Sequence, residues 1–290
     1  MSPAASLSTV AATLRAAGCV FAEDEAELLV SAARAPEELA LMVERRAHGL
    51  PLEHVLGWAE FCGLRIDVDP GVFVPRRRTE FLVRQAIGLA RGGPAVVVDL
   101  CCGSGALGAA LATALGTAPT TVSGTVSGTA PGTALGVAVE LHAVDIDPAA
   151  VRCARRNLAA VGGRVHEGDL YDPLPAGLRG RVGLLVASPP YVPTEAIRLL
   201  PAEARVHEPM VALDGGVDGL DVVRRVARTA PRWLAPGGHL LVETSLRQAP
   251  GTVETMERAG LAARVADCEE LGANVVIGTM PGAPVAGPKV

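Results

Sequence analysis

The sequence predicts an α/β protein: an open, mostly parallel sheet with helices on both faces, preceded by a small helical N-terminal domain. Three observations predict it. From Ala95 onward, apolar strand-like runs alternate with helix-periodic segments, the pattern of a parallel sheet covered on both sides. Within that region, at 96–108, an apolar strand runs into a glycine-rich turn that opens a helix, which makes the sheet Rossmann-like. The residues before about position 50 carry helical periodicity and no strand texture.

The elements follow in order. Between positions 7 and 47 apolar residues recur at helical spacing, first Leu28, Leu29, Ala32 and Ala33, then Leu39, Leu41 and Met42, with Pro36 placed to open a new helix. Past Gly49 and Pro51 the residues alternate over 61–68, a short strand pair leading into Val72-Phe73-Val74-Pro75. Thr79 reads as the cap of a helix running to Leu89. Strands are then predicted at 95–100, 139–144, 164–167, 182–187 and 239–243, with helices at 105–115, 148–161, 218–234 and 253–259. Strands at 262–266 and 275–278, with no helix between them, form an antiparallel edge hairpin. Segment 116–137 breaks the alternation: it is uncharged and contains the tetrads TVSG, TVSG, TAPG and TALG, so it reads as a mobile surface loop with no catalytic role. The proline-rich tail from Pro281 reads as frayed.

A chain of 290 residues with 49% hydrophobic content has ample material for a core. No uninterrupted apolar stretch approaches the ~18 residues that span a bilayer, so no membrane insertion is expected. Residues 1–20 carry only Arg15 as a charge and no basic leader, which reads as a cytosolic protein. Six cysteines are scattered without a Cys-x-x-Cys pair or a histidine at ligand spacing; they are expected to be buried small residues, and no metal site is expected. A net charge of −5 argues against a surface dedicated to nucleic-acid phosphates, although Arg76-Arg77-Arg78 is a conspicuous basic run.

The turn Cys101-Cys102-Gly103-Ser104-Gly105 lets backbone approach a nucleotide-like ligand, because glycine carries no Cβ. Gly103, Gly105 and Gly108 also satisfy G-x-G-x-x-G, which keeps a dinucleotide reading open. A ribose-binding carboxylate belongs at the end of the next strand, about 20 residues on. Asp145 lies 40 residues beyond Gly105, and without the 22 residues of 116–137 the spacing is 18. Asp145 is therefore assigned to a ribose. Asp147, followed by Pro148, is assigned to capping the next helix. Asp169, after the strand at 164–167, sits at the carboxyl edge of the sheet and is assigned to an adenine amino group.

Ser188-Pro189-Pro190-Tyr191 follows the strand at 182–187. Two prolines fix the backbone and remove their own N–H donors, so the turn presents acceptors. An NH2 group needs two acceptors and an aromatic neighbour to be held with its nitrogen facing a methyl donor, and the Ser188 hydroxyl, the Pro189 carbonyl and Tyr191 supply them. Such chemistry relies on positioning and needs no metal.

With these motifs placed, the chain resembles the HemK-type protein-(glutamine-N5) methyltransferases, whose best-known members modify the Gly-Gly-Gln glutamine of peptide release factors. The resemblance runs from Gly49 to Gly278. It includes Val74-Pro75-Arg76 with Thr79-Glu80, Asp99 to Ala106, Asp145-Ile146-Asp147, Gly168-Asp169-Leu170, Ser188 to Tyr191, Glu208-Pro209, Asp214-Gly215-Gly216, Asp218 to Asp221 and Pro236-Gly237-Gly238. It implies a seven-stranded class I methyltransferase domain using S-adenosylmethionine. Cofactor contacts are implied at Asp99, Gly103, Gly105, Asp145, Asp169 and Ser188, acceptor contacts at Ser188, Pro189 and Tyr191, and a release factor as partner. The implied domains are 1–50, helical and substrate-recognising; 51–78, the strand-pair linker; 79–280, the methyltransferase domain carrying the 116–137 insertion; and 281–290, the tail. Three positions depart from the family pattern. Serine stands where the turn normally begins with asparagine, and Arg77-Arg78 stand where proline and glutamate are usual.

Two alternatives stay open. Ser-Pro-Pro-Tyr also resembles the turn of DNA cytosine-N4 methyltransferases, although no separate base-reading domain is visible. A catalytically weak S-adenosylmethionine-binding paralogue, or one acting on a small molecule, is the other. The sequence does not give the oligomeric state.

Overall fold

The computed structural model describes residues 3–90, 95–116 and 139–282. The predicted loop at 116–137, beyond Gly116, and the tail from position 283 lie outside the described residues.

The chain begins with helices α1 (Pro3–Ala16), α2 (Ala22–Ala32) and α3 (Pro36–Ala47), followed by a short α4 (Leu52–Leu56) that the sequence did not announce. Pro36 opens α3 as expected, because its missing N–H costs nothing in a first turn. Leu14, Leu29 and Met42 form the shared core of these helices. Arg46 Nε and Nη2 grip the Glu25 carboxylate at 2.6 and 3.0 Å, tying α3 to α2. Strands β1 (Trp58–Phe61) and β2 (Leu64–Asp67) form an antiparallel pair that begins three residues before the span 61–68 read from the sequence.

The larger unit runs through α5 (Glu80–Leu89), β3 (Ala95–Leu100), α6 (Ala106–Gly116), β4 (Val139–Asp145), α7 (Pro148–Ala159), β5 (Arg164–Glu167) and β6 (Val182–Ala187). It continues through α8 (Ala202–His207), α9 (Met210–Leu213), α10 (Asp221–Thr229), β7 (Leu234–Thr244), α11 (Ala249–Arg258), β8 (Ala262–Cys268) and β9 (Ala273–Thr279). The seven strands are ordered β5-β4-β3-β6-β7-β9-β8. All pairings are parallel except β7 with β9 and β9 with β8, so the closing hairpin does lie at one edge. Apolar clusters fill both faces, one under α5, α6 and α7 and the other under α10 and α11. No described helix is long and apolar enough to cross a membrane.

Three expectations change. The helix read at 218–234 is only Asp221–Thr229, followed by a 3-10 turn over Ala230–Arg232, because Pro231 cannot donate to the helical ladder. Strand β7 begins earlier than read, at Leu234, because Ala235 to Gly238 form a bulge between the pairs Val182–Leu234 and Leu184–His239. All six cysteines are free, but only Cys102 and Cys153 are buried; Cys19, Cys62, Cys101 and Cys268 sit in partly exposed turns or at the sheet edge.

Candidate active site

The site is assembled at the carboxyl ends of β3, β4, β5 and β6. After β3 the chain turns through Cys101 and Gly103, whose φ angles of 57° and 53° are left-handed, and Gly103 N–H donates to Asp145 Oδ2 at 2.8 Å. Asp145 Oδ1 accepts from Asp147 N at 2.9 Å, so one carboxylate holds both turns. Burial pushes the Asp145 carboxyl above its ordinary range, opposed by these backbone N–H groups. Asp147 caps α7 through Ala149 N at 2.8 Å, as assigned.

A cavity opens over this turn, lined among others by Gly103, Asp145, Ile146, Asp169, Leu170 and Ser188. A second is lined by Thr79, Ser188, Pro189, Tyr191, Glu208 and Glu243, among others. Ser188, Thr79, Phe73, Arg76 and Ala212 line both, so the two cavities meet where the Ser-Pro-Pro-Tyr turn begins. Of the residues assigned from the sequence, Gly103, Asp145, Asp169 and Ser188 line the first cavity, and Ser188, Pro189 and Tyr191 line the second.

Asp99 and Gly105 do not reach either cavity, which corrects their assignment as cofactor contacts. Asp99 is fully buried; its Oδ2 accepts from Gly108 N at 3.0 Å, Oδ1 has no partner among the described residues, and burial pushes the carboxyl up to about 7. It pins the start of α6 from beneath. Gly105, at φ 80°, faces α7, where a Cβ would come within 3.2 Å of Ala154 and Leu158. The glycine is required there for helix packing. Thr79 is likewise corrected. It has helical backbone angles and makes no cap bond, and its hydroxyl instead donates to Glu243 Oε2 at 2.6 Å.

Several residues of the site were not singled out from the sequence. Glu243, on β7, accepts from Ser188 Oγ at 3.1 Å, Tyr191 Oη at 3.4 Å and Arg78 Nε at 3.1 Å. Gln248 donates from Nε2 to the Tyr191 carbonyl at 2.8 Å and the Asp218 carbonyl at 2.9 Å. The glycines of Asp214 to Gly219 back the turn: a Cβ at Gly215 would lie 2.7 Å from the Pro190 carbonyl and one at Gly219 2.3 Å from that of Tyr191. No described donor bonds the Pro189 carbonyl. Asp169 Oδ2 is taken by Arg225 Nη2 at 2.5 Å, and its Oδ1 has no described partner. Two members of the basic run engage buried carboxylates, Arg76 Nη2 both Glu208 oxygens at 2.6 Å and Arg78 Nε Glu243, while Arg77 is exposed.

The first cavity fits S-adenosylmethionine by its donor set. Asp145 keeps acceptor capacity for a diol beyond the backbone bonds it already makes. The space over Gly103 is open, since an added Cβ there meets nothing within 4 Å, and Ile146 and Leu170 add apolar walls.

No family model matches the chain. The release factor glutamine methyltransferase of Geobacter sulfurreducens is 37% identical over 232 residues, covering 78% of this chain and 72% of that protein. Its counterpart in Mycolicibacterium smegmatis is 36% identical over 266 residues, 86% of each chain. A 4-amino-L-phenylalanine/4-methylamino-L-phenylalanine methyltransferase of Streptomyces pristinaespiralis is 37% identical over 69% of this chain and 63% of that one. Among solved structures, a methyltransferase of Pyrococcus furiosus superposes with a TM-score of 0.51 at 15% identity over 76% of this chain and 90% of that chain, which supports the fold. The chain therefore belongs to the release factor glutamine methyltransferase family and is an S-adenosylmethionine-dependent methyltransferase.

Proposed function

We propose that the protein methylates the side-chain amide of a glutamine in a peptide release factor, with Gly103, Asp145 and Asp169 holding S-adenosylmethionine and Ser188, Pro189 and Tyr191 holding the amide. The observation that carries this reading is the meeting of the two cavities at Ser188. When bound, S-adenosylmethionine supplies a methyl group already activated by its sulfonium.

The protein's part is positioning. Asp145 offers carboxylate acceptors to the ribose hydroxyls, and the free Asp169 Oδ1 offers one to the adenine amino group. An amide NH2 has two hydrogens, and the Ser188 oxygen and the unclaimed Pro189 carbonyl are the two acceptors that direct its nitrogen toward the first cavity. The new N–C bond replaces one N–H bond, and that proton is released. Burial and the neighbouring Glu243 push the Tyr191 phenol up, which keeps it protonated and hydrogen-bonded at the edge of the amide site.

The helical segment 1–50 is the part of the chain that reads the protein substrate in this account. It is supported by Arg46 of α3, whose Nη1 reaches Glu203 at 3.4 Å; Glu203 lines the second cavity, as does Pro51 where the linker begins. A release factor as substrate places the reaction in the cytoplasm.

A small aromatic amine is the second reading. It is favoured by the serine that opens the turn and by the likeness to the aminophenylalanine enzyme. Incubating the purified protein and labelled S-adenosylmethionine with release factor, with 4-aminophenylalanine and with DNA separates the readings. Label on the release-factor glutamine supports the proposal; label only on the amine or on DNA contradicts it.

A further inference from the structure

Two of the three positions at which the sequence departs from its family pattern, Arg78 and Ser188, meet at Glu243. The Glu243 side chain is 4% exposed. Its Oε2 accepts the Thr79 hydroxyl at 2.6 Å and the Ser188 hydroxyl at 3.1 Å. Its Oε1 accepts Arg78 Nε at 3.1 Å and the Tyr191 hydroxyl at 3.4 Å. A carboxylate offers about four lone-pair sites, and four donors take them. Glu243 thus has no acceptor left for a substrate N–H although it lines the acceptor cavity.

A saturated carboxylate still fixes the polarity of what it touches. It can only accept, so the single hydrogen of Ser188 is turned into Glu243 and both lone pairs of the hydroxyl are left for the cavity. A serine not held in this way can equally point its hydrogen at the substrate and repel an N–H. We propose that Glu243 is a positioning residue that makes Ser188 a pure acceptor for the substrate nitrogen, with Arg78 as its counter-charge. This rests on the reading of Ser188 as an acceptor contact given above. An asparagine at this position has a carbonyl that accepts whatever lies behind it. Serine needs the carboxylate.

Glu243→Gln tests the idea. The glutamine oxygen stays with Arg78 and Tyr191, its NH2 faces Thr79 and Ser188, and the Ser188 hydrogen turns into the cavity. On a Gly-Gly-Gln peptide, kcat is expected to fall at least tenfold, with S-adenosylmethionine affinity and melting temperature little changed. In the Ser188→Asn background the same substitution is expected to cost less than about threefold, a non-additivity that a merely structural role does not produce. Glu243→Asp, which keeps the charge and withdraws it by one methylene, is expected to show the same suppression and serves if Glu243→Gln fails to fold. Equal losses in both backgrounds, or no loss in either, with an active wild type, overturn the inference alone. A wild type that neither binds nor methylates the peptide overturns the reading of Ser188 on which it stands.

Discussion

Asn157 holds Ser104: its side-chain amide donates to the Ser104 carbonyl at 2.8 Å from the last turn of α7. The same amide donates to the Asp67 carbonyl at 2.9 Å and accepts from Asp67 N at 2.9 Å. One side chain therefore joins the glycine-rich turn to the β1–β2 hairpin. Asn157→Ala removes all three bonds, each worth about 0.5–1.5 kcal/mol net. It is expected to lower unfolding free energy by about 2–3 kcal/mol and to weaken S-adenosylmethionine binding several-fold. Denaturant titration and calorimetry check both, and a loss of stability with unchanged cofactor affinity shows that the turn does not depend on Asn157.

Asp145→Ala removes the acceptor of Gly103 N–H as well as the acceptor proposed for the ribose. Hydrogen bonds to a charged group are worth about 1.5–3 kcal/mol, so the dissociation constant for S-adenosylmethionine is expected to rise about 10- to 100-fold while the sheet stays folded. Calorimetry with S-adenosylmethionine decides it; an unchanged constant removes Asp145 from the cofactor site.

Arg76→Ala leaves Glu208, whose side chain is 1% exposed, facing only the Val74 N–H at 3.2 Å. Removing one partner of a buried pair costs about 3–5 kcal/mol, and the partial exposure of Arg76 reduces this to about 2 kcal/mol. Glu208→Gln with Arg76→Ala is expected to recover part of the loss. Equal destabilisation of the single and double variants in urea contradicts this account of the pair.

Asp99 gives a pH dependence. Its folded carboxyl is pushed up by burial from an ordinary 3.8 to about 7, so the folded state binds the proton more tightly than the unfolded state. The associated stability is full below about pH 4, is lost as pH rises to about 7, and is flat above it. At 1.36 kcal/mol per pH unit, wild type is expected to lose about 2–3 kcal/mol between pH 5 and pH 8 relative to Asp99→Asn, which has no proton to lose there. Parallel stability curves for the two proteins contradict it.

Much of the fold was legible because local signals carried it. Strands β3, β5 and β6 fall where the sequence placed them, each an apolar or alternating run bounded by turn residues. Asp145 ends β4 beside the first cavity and Asp147 caps α7, as read, because strand end, acid and proline are contiguous. What escaped depends on contacts far apart in sequence: Glu243 meets Arg78 across 165 positions, and Asn157 meets Asp67 across 90. Neither residue sits in a turn or beside a glycine to mark it. Thr79 misled for the same reason, since its hydroxyl found a buried carboxylate 164 positions away in place of the nearby helix N–H groups. Asp99 and Gly105 were assigned to the cofactor because they flank the turn, yet one supports it from below and the other packs it against α7.

The most direct measurement is mass spectrometry of the Gly-Gly-Gln peptide of release factor taken from cells with and without this gene, and from release factor treated with the purified protein. The account predicts a glutamine heavier by one methylene only where the protein is present, and lost in Asp145→Ala. An unmodified glutamine in every sample, from a protein that still binds S-adenosylmethionine, contradicts it.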